Sequence, residues 1–512
     1  MWKKKNQNQK EEQFVRSKLY RFYFLLFVVL SVLSARAENT FHFNKNLLVA
    51  QGQNYELRLK RARVILKEQQ ALEPNNSAVH YLLHFNSFLK AFISEEQADY
   101  AAYRKIQDEA LLHYESLPDS SAFKRFAQSD AYFYSATLKA KFEEFYSAAR
   151  DVNKANSLVN ENHKLFPDFL PNNKTRGIIN VYLSTVPDNY AWVVRMLGIS
   201  GEIKTGLSLL ENLAHTSQDT GYMKLFAKEA SYLYSFSLMH VAKKPAKAWS
   251  ETLRCTNDYT TNLISAYFRA AMATKLNKNT LAISVLERRP VSAEYERFYF
   301  LDYLLGVAKL NTLDVTSILD LHQFYTHFKG RNYIKSCLQK MSWYYSVVGN
   351  TTKAQEYQDL IKQKGYKLND DDKLALIFAD KPLPHKELLK TRLLYDGGDV
   401  KGASKIIAVI QPKQLATRTL KAEYCYRRGR ILEKEGEMDK ALKLYEACTL
   451  FGIDSKEYYA AYASIYLADY YLRQGDNANA KKFYERALTF KDNREYRSSV
   501  EQRAKAGLQK LK

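Results

Sequence analysis

The amino-acid sequence predicts an all-α protein, built of helix-turn-helix units that stack into a solenoid. The main observation is a pattern in the C-terminal third, in which a glycine is followed five residues later by an alanine and usually, soon afterwards, by a tyrosine. Its four copies begin at Gly349, Gly398, Gly436 and Gly475, with intervals of 49, 38 and 39 residues. This spacing is typical of two-helix repeats, in which a small residue lets the helices approach closely after a turn.

The composition favours the same architecture. The 512 residues include only 18 Gly and 10 Pro, so long helices are compatible with most of the chain. Strand-like alternation is nowhere sustained. The 38 Tyr and 27 Phe suit helical repeats, which use aromatic rings to fill the space between helices. A hydrophobic content of 46% excludes a fully disordered chain.

The first residues predict a cleavable signal peptide. A basic stretch precedes the apolar residues 22–33, and Ala35-Arg36-Ala37 then supplies a cleavage pattern of small residues. The apolar run is about a dozen residues, whereas a membrane-spanning helix needs roughly 20. We therefore expect export to a periplasmic or cell-envelope location, and an uncleaved membrane anchor is the alternative. No cysteine follows the apolar run, so we do not expect a lipoprotein.

The remaining chain divides into three predicted parts. Residues 38–160 form N-terminal helical repeats, residues 161–330 form a central helical region with a Gly- and Pro-marked segment, and residues 331–512 form the clearest repeats. The repeats in the N-terminal two thirds are degenerate. Turn signals nevertheless divide them, as where Pro74 stops the helix that begins near residue 55.

The net charge of +22 bears on the partners. No nucleic-acid recognition motif or basic block accompanies it, and we expect no nucleic-acid binding. An anionic glycan, an acidic protein or the membrane surface fits the charge better. Dispersed charge that only keeps a long solenoid soluble is the alternative. Peripheral membrane association through residues 190–199, which include Trp192, is a further hypothesis.

Motifs for catalysis or metal binding are missing from the sequence. The four cysteines match neither a disulfide framework nor a zinc motif, although Cys425 and Cys448 could approach each other within one repeat. His80 and His84 have the spacing of two zinc ligands, but Tyr81 stands where a zinc protease needs Glu. We expect packing or surface roles for these histidines. The prediction is a protein without enzymatic activity, metal or cofactor.

Two segments near the C-terminus resemble the tetratricopeptide repeat family. In the first, Gly429, Gly436, Ala441 and Tyr445 match the family positions, whereas Arg428 replaces the usual Leu. The second is a near-complete match. Its matching residues are Leu467, Ala468, Tyr471, Gly475, Ala480, Tyr484 and Ala487.

The central segment carries a more particular resemblance. Residues 165–213 contain Gly177, then Leu183-Ser184 shortly before Pro187, and then a run of spaced glycines that ends at Gly206-Leu207. This order is similar to that of the fungal inclusion-body-clearance proteins and their animal relatives, the tetratricopeptide repeat protein 39 family. The resemblance implies a helical-repeat adaptor without a catalytic site.

The resemblance to tetratricopeptide repeats also implies a binding surface, because the first helix of each pair lines a concave groove. It assigns Glu423 and Ile465 to this face, together with a mixed aromatic and basic set. Tyr458, Tyr462, Tyr466 and Tyr470 recur every four residues, either as packing or as a ligand platform. The predicted binding residues are Tyr426, Arg430, Lys434, Tyr462, Asp469 and Arg473.

These observations lead to one functional hypothesis and two alternatives. The hypothesis is a non-catalytic, exported adaptor or scaffold that binds a protein or peptide partner in its concave groove. The first alternative is glycan or nutrient capture at a bacterial outer membrane, and the second is a peripheral membrane-associated adaptor.

Overall fold

The structure is a computed structural model, and it describes residues 39–184, 201–218, 221–490 and 495–511. Within these ranges the chain forms 24 α-helices, one short 3₁₀ helix and an isolated bridge between Thr40 and Asn76, with no β-strand. The all-α prediction is therefore confirmed. Two predicted features, the signal peptide and the segment 190–199, lie outside the described residues.

Fourteen helices build the N-terminal and central parts described by the structure. They are α1 (Lys45–Glu56), α2 (Leu59–Leu72), α3 (Ser77–Ser94), α4 (Gln97–Glu115), α5 (Ala122–Lys141), α6 (Phe145–Leu165), α7 (Asn172–Leu183), α8 (Ile203–Ala214), α9 (Gly221–His240), α10 (Pro245–Cys255), α11 (Leu263–Lys275), α12 (Asn279–Glu287), α13 (Phe300–Leu310) and α14 (Ser317–His327).

Ten further helices, within the described ranges, build the C-terminal part. They are α15 (Ile334–Val348), α16 (Thr351–Gln363), α17 (Asp370–Phe378), α18 (Lys386–Gly397), α19 (Val400–Ala408), α20 (Arg418–Glu435), α21 (Met438–Phe451), α22 (Tyr459–Arg473), α23 (Asn477–Thr489) and α24 (Arg497–Gln509).

Packing follows the chain, as expected for a solenoid. Consecutive helices pair throughout, with α5 on α6, α15 on α16, α20 on α21 and α22 on α23. Longer-range contacts also occur, because α1, the first described helix, contacts α9 and α11. There the backbone N–H of Glu296 donates to the carbonyl of Leu57 at 2.7 Å.

The four glycines of the repeating pattern all end a first helix. Gly349, Gly398, Gly436 and Gly475 have φ of 91°, 92°, 84° and 75°. This left-handed conformation is unfavourable for residues with a Cβ, and it reverses the chain directly after a helix. The alanines five residues later are completely buried on the second helices. The pattern therefore marks turns and helix contacts in the degenerate copies as well as in the two good ones.

Glycine also permits a close helix contact in the central segment. A Cβ on Gly206 of α8 would lie 2.7 Å from the carbonyl oxygen of Gly177 on α7, and 2.8 Å from a methyl group of Val181. A Cβ on Gly177 would lie 2.7 Å from Leu210 Cγ. Two of the glycines that carry the resemblance to the inclusion-body-clearance proteins thus have a structural role in bringing α7 and α8 together.

A buried ion cluster joins three helices of the central region. Lys174 on α7 is 2% exposed, and its Nζ lies 2.5 Å from Asp130 Oδ2 on α5 and 3.2 Å from Glu229 Oε2 on α9. It also donates to the Tyr134 hydroxyl at 3.1 Å. Burial lowers the pKa of Lys174, but the two carboxylates outweigh this effect and raise it, so the lysine stays charged.

The cysteines and histidines singled out from the sequence have packing contacts. Cys425 and Cys448 are free, buried thiols, and Cys448 Sγ donates to the carbonyl of Ala422 at 3.3 Å. The His80 ring stacks on His113 with 3.4 Å between ring centroids. His84 lies in the core, with its Nε2 3.0 Å from the Tyr103 hydroxyl. The packing roles expected for these histidines are confirmed.

The described ranges contain neither a metal-binding cluster nor a membrane-spanning helix. No group of three His, Cys, Asp or Glu side chains in these ranges is arranged to hold a metal ion. Every described helix is too short or too polar to cross a lipid bilayer.

Candidate functional site

The first helices of the C-terminal repeats line one continuous face. Helix α15 contacts α18, α18 contacts α20, α20 contacts α22, and α22 contacts α24. The second helices α16, α19, α21 and α23 pack behind them. Side chains that project from successive first helices therefore meet on this face, which we call the repeat groove.

A cavity of about 250 Å³ lies in the repeat groove between α18, α20, α22 and the start of α24. Arginines and tyrosines dominate its wall. The residues that line it are Thr391, Arg392, Tyr395, Asp396, Tyr426, Arg427, Arg430, Ile431, Tyr458, Tyr462, Tyr466 and Tyr496.

Arg430 connects three of the four helices around this cavity. Its guanidinium donates to the Tyr466 hydroxyl on α22 and, at 3.1 Å, to the Tyr395 hydroxyl on α18. It also lies 4.4 Å above the Tyr466 ring centroid. Glu433 is the nearest carboxylate, at 3.5 Å from Nε. Burial alone would lower the pKa of Arg430, but the surrounding tyrosines raise it, so the cavity keeps a cation.

Arg427 is a second, more deeply buried cation at the same cavity. It is 8% exposed, and its Nε donates to Glu423 Oε1 at 2.7 Å, one helical turn earlier on α20. Burial lowers the pKa of Arg427, but the neighbouring Glu423 outweighs this effect and raises it, so the guanidinium stays charged. Because its charge is already balanced, Arg427 contributes shape and hydrogen-bond donors more than free charge.

The tyrosines form one connected cluster. The Tyr458 ring packs edge-to-face against Tyr426, Tyr462 and Tyr496, with ring centroids 5.5, 5.9 and 5.2 Å apart. Tyr462 also donates to Ser499 on α24 at 3.0 Å. Burial raises the pKa values of Tyr426 and Tyr458, so their hydroxyls stay neutral at physiological pH. Tyrosines in this environment offer both ring faces and hydroxyl groups to a ligand.

The predicted binding residues separate into two groups. Tyr426, Arg430 and Tyr462 line the cavity. Asp469 lies beside it, where it accepts hydrogen bonds from the Tyr484 hydroxyl and, at 2.7 Å, from Arg503. Lys434 and Arg473 are the remaining two.

Those two residues, Lys434 and Arg473, are exposed near the C-terminal ends of α20 and α22, away from the cavity wall. Ile465 was also expected on the groove face, and this expectation is wrong. It is completely buried, because it packs in the core formed by α20 to α24. The tyrosine series divides similarly, since Tyr458, Tyr462 and Tyr466 line the cavity and Tyr470 does not.

A second cavity, of about 190 Å³, continues the repeat groove toward α15. Arg392, Arg427 and Tyr496 line both cavities, so the two are neighbours. Its acidic side is neutralised in part by Lys381, whose Nζ lies 2.6 Å from both Glu457 and Glu495.

The opposite side of the second cavity is basic and aromatic, with Lys340 and Trp343 on α15 and Arg392 on α18. Sequence reasoning missed these residues because their repeats are degenerate. A signal was nevertheless present. Trp343, Arg392, Arg430 and Asp469 each lie six residues before the turn glycine of their own repeat.

The groove therefore combines guanidinium groups, tyrosine hydroxyls and aromatic faces. Guanidinium groups donate paired hydrogen bonds to carboxylates and similar anions, and they stack on planar groups. The arrangement suits recognition of a ligand with polar or acidic groups. Its cavity walls hold neither a serine or cysteine nucleophile nor a histidine next to one.

Comparisons with known proteins identify the repeats. A family model described as tetratricopeptide repeat matches residues 422–450 and 457–494. These two segments cover most of α20 and α21 and all of α22 and α23, and they agree with the two copies recognised from the sequence. No curated protein is detectably similar to the chain.

Two of the solved structures that match the chain do so at low identity. One is described as the crystal structure of the APC/C hetero-tetramer Cut9-Hcn1, with 14% identity, 90% of this chain and 89% of that chain covered, and a TM-score of 0.24. The other is described as Naa15/Naa10 bound to HypK-THB, with 13% identity, 91% and 73% covered, and a TM-score of 0.19. Structural similarity at these TM-scores gives no information about the function of this chain.

Proposed function

We propose that the protein is an adaptor or scaffold that binds a segment of a protein partner in the repeat groove. The observation that carries the proposal is the cavity between α18, α20 and α22, which lies within and beside the two tetratricopeptide repeats. Helical repeats present such concave surfaces for protein binding. Arginine and tyrosine are also the residues that contribute most to protein-protein interfaces.

The finer parts of the proposal rest on the sequence. Export by a cleavable signal peptide is supported by the basic and apolar pattern of residues 1–37. Kinship with the inclusion-body-clearance proteins is supported by the glycine pattern of residues 165–213. Association with a membrane surface would use residues 190–199, and it remains a separate hypothesis.

Glycan capture is the second candidate function, and one observation favours it. Six tyrosines line the first cavity, and sugars bind in protein sites by stacking on aromatic faces and by hydrogen bonds to hydroxyl groups. Under this alternative an envelope polysaccharide would occupy the groove in place of a protein segment.

Site-specific photocrosslinking tests the proposed function. A photoactivatable phenylalanine analogue replaces Tyr462 in the full chain, and the matched control carries it at Tyr470. Both tyrosines are half-buried on α22, but only Tyr462 lines the cavity. We expect the variant at 462 to crosslink to one defined protein in extracts of the source cell, and the variant at 470 to give no such product.

Two results would contradict the adaptor function. Equal crosslinking from both positions would place the contact elsewhere on the chain. Crosslinking at 462 to polysaccharide, with no protein product, would favour the glycan alternative.

A further inference from the structure

The second cavity of the repeat groove contains two cations on one aromatic ring. Lys340 Nζ lies 3.9 Å from the Trp343 ring centroid, and Arg392 Cζ lies 4.6 Å from the same ring. The indole itself is 5% exposed, and it packs edge-to-face on Phe378 with 6.0 Å between ring centroids. The ring therefore holds a lysine of α15 and an arginine of α18 close together.

Neither cation is balanced in the way that the other basic groups of the groove are. Within the described ranges, Lys340 has no carboxylate within ion-pair distance, and its hydrogen bond is to Gln339 Oε1 at 3.4 Å. The one carboxylate contact of Arg392 is to Asp396, at 3.5 Å, and the Asp396 side chain is 53% exposed. Because Asp396 faces solvent, this contact is screened and balances the Arg392 guanidinium only in part.

Most of the other carboxylates that line this cavity form ion pairs with basic side chains. Lys381 holds Glu457 and Glu495, and Arg427 holds Glu423. Asp371 is the exception, but it is exposed at the edge of the cavity. Beside Trp343, Lys340 is therefore left without an ion-pair partner, and Arg392 has only a partial one.

Trp343 adds an unused hydrogen-bond donor. Its Nε1 is buried and has no acceptor among the described residues. Buried donors are nearly always paired in proteins, by protein groups or by an ordered ligand or water. Trp343, the two cations and the free space of the cavity occur at the same place.

We propose that this cavity binds the side-chain carboxylate of an acidic residue within the partner segment, held between Lys340 and Arg392 beside Trp343. The proposal rests on the proposed function, because it concerns the same groove. Charge complementarity selects the occupant, since Lys340 has no carboxylate within ion-pair distance and Arg392 has only the exposed Asp396. A residue within a chain fits better than a terminal carboxylate, because Arg392 also lines the neighbouring cavity, and the groove continues past the site.

The charge of Lys340 makes this binding dependent on pH. Burial, together with repulsion from Arg392, lowers the pKa of Lys340 to about 8, while Asp371, Asp396 and the Cys337 thiol act in the opposite direction. Above this pH the lysine becomes neutral and its attraction for a carboxylate is lost. A bound carboxylate favours the charged lysine, so the midpoint in the complex lies above that of the free protein.

Calorimetric titration with a defined probe tests the proposal. The probe is the capped octapeptide acetyl-(Tyr-Glu)₄-amide at pH 7, and acetyl-(Tyr-Gln)₄-amide is the neutral comparison. We expect the acidic peptide to bind and the neutral one to bind at least about tenfold more weakly. Lys340→Gln and Arg392→Gln should each weaken the acidic peptide by about tenfold, which is the effect of losing one charge-assisted hydrogen bond of about 1.4 kcal/mol.

Three further variants separate the site from general effects. Lys353→Gln is the matched control, because Lys353 also stacks on an aromatic ring, 5.2 Å from Tyr345, but is exposed on α16. It should bind like the parent. Lys340→Arg should retain binding and should lose the weakening that the parent shows between pH 7 and pH 9. Arg392→Lys keeps the charge if Arg392→Gln fails to fold.

Several outcomes would overturn the proposal. These are equal binding of both peptides, an equal loss in Lys353→Gln, and no binding of the acidic peptide at all. A preference for the free-acid peptide acetyl-(Tyr-Gln)₄-OH would show recognition of a chain terminus. If Lys340→Gln crosslinks to its partner from position 462 as efficiently as the parent does, the carboxylate site would be wrong while the adaptor function would stand.

Discussion

Substituting Gly429 by alanine tests the packing between the two helices of the first of the two recognised repeats. An added Cβ would lie 2.7 Å from Cε1 and 2.9 Å from Cδ1 of Tyr445 on α21. The Tyr445 ring is 1% exposed, its hydroxyl donates to Glu433 at 2.7 Å, and Tyr466 packs 5.5 Å away. The ring therefore has little room to move away from a new methyl group.

Two opposing effects determine the size of this change. Alanine is favoured over glycine inside a helix by about 1 kcal/mol. Overpacking a well-packed core costs about 1 to 3 kcal/mol, and the ring contact here is at the severe end of this range. We therefore expect Gly429→Ala to lower the local free energy of unfolding by about 1 to 2 kcal/mol.

Hydrogen exchange followed by mass spectrometry measures this effect in the full chain. Repeats open locally, so the peptides covering α20 and α21 should exchange about 5 to 30 times faster in the variant. Gly52→Ala on α1 is the matched control, because a Cβ there meets nothing within 4 Å. It should slow local exchange. If Gly429→Ala also slowed exchange, the inferred contact between α20 and α21 would be refuted.

Two further predictions concern pH and processing. Burial lowers the pKa of His84 to about 3, so the unfolded chain binds more protons below pH 6.5, and acid destabilises the fold. Between pH 6.5 and pH 4, protonation of His84 in the unfolded chain lowers the free energy of unfolding by about 3 kcal/mol. Urea titration of His84→Gln should show that this loss has disappeared. An unchanged pH dependence in the variant would contradict the prediction. Exported protein recovered from the cell envelope should begin at Glu38 by intact-mass measurement, and retention of residues 1–37 would instead favour a membrane anchor.

The repeat groove shows which of its lining residues the repeat motif could predict. Tyr426 and Arg430 were assigned to the binding face from the two good repeats, and both line the cavity. Lys340, Trp343 and Arg392 lie in repeats whose motif has decayed, so family resemblance did not identify them. Their position before each turn glycine was the only available signal, and it does not reveal which side chains touch.

The sequence by itself determined the fold class, the turns and the helix contacts of the C-terminal repeats. These follow from local requirements, since a left-handed turn needs a glycine such as Gly436, and a close helix contact needs a small residue such as Ala441. Such requirements act between neighbouring residues and can be read from spacing alone.

Tertiary structure decided which charges are balanced and which remain available to a ligand. Lys174 looks like any surface lysine in the sequence, yet carboxylates from two other helices make it a buried structural cation. Lys340 and Arg392 are 52 residues apart, and they meet only because α15 and α18 are neighbours on the repeat groove. Charge balance depends on distances between helices that are remote in the chain, and those distances arise only when the solenoid is assembled.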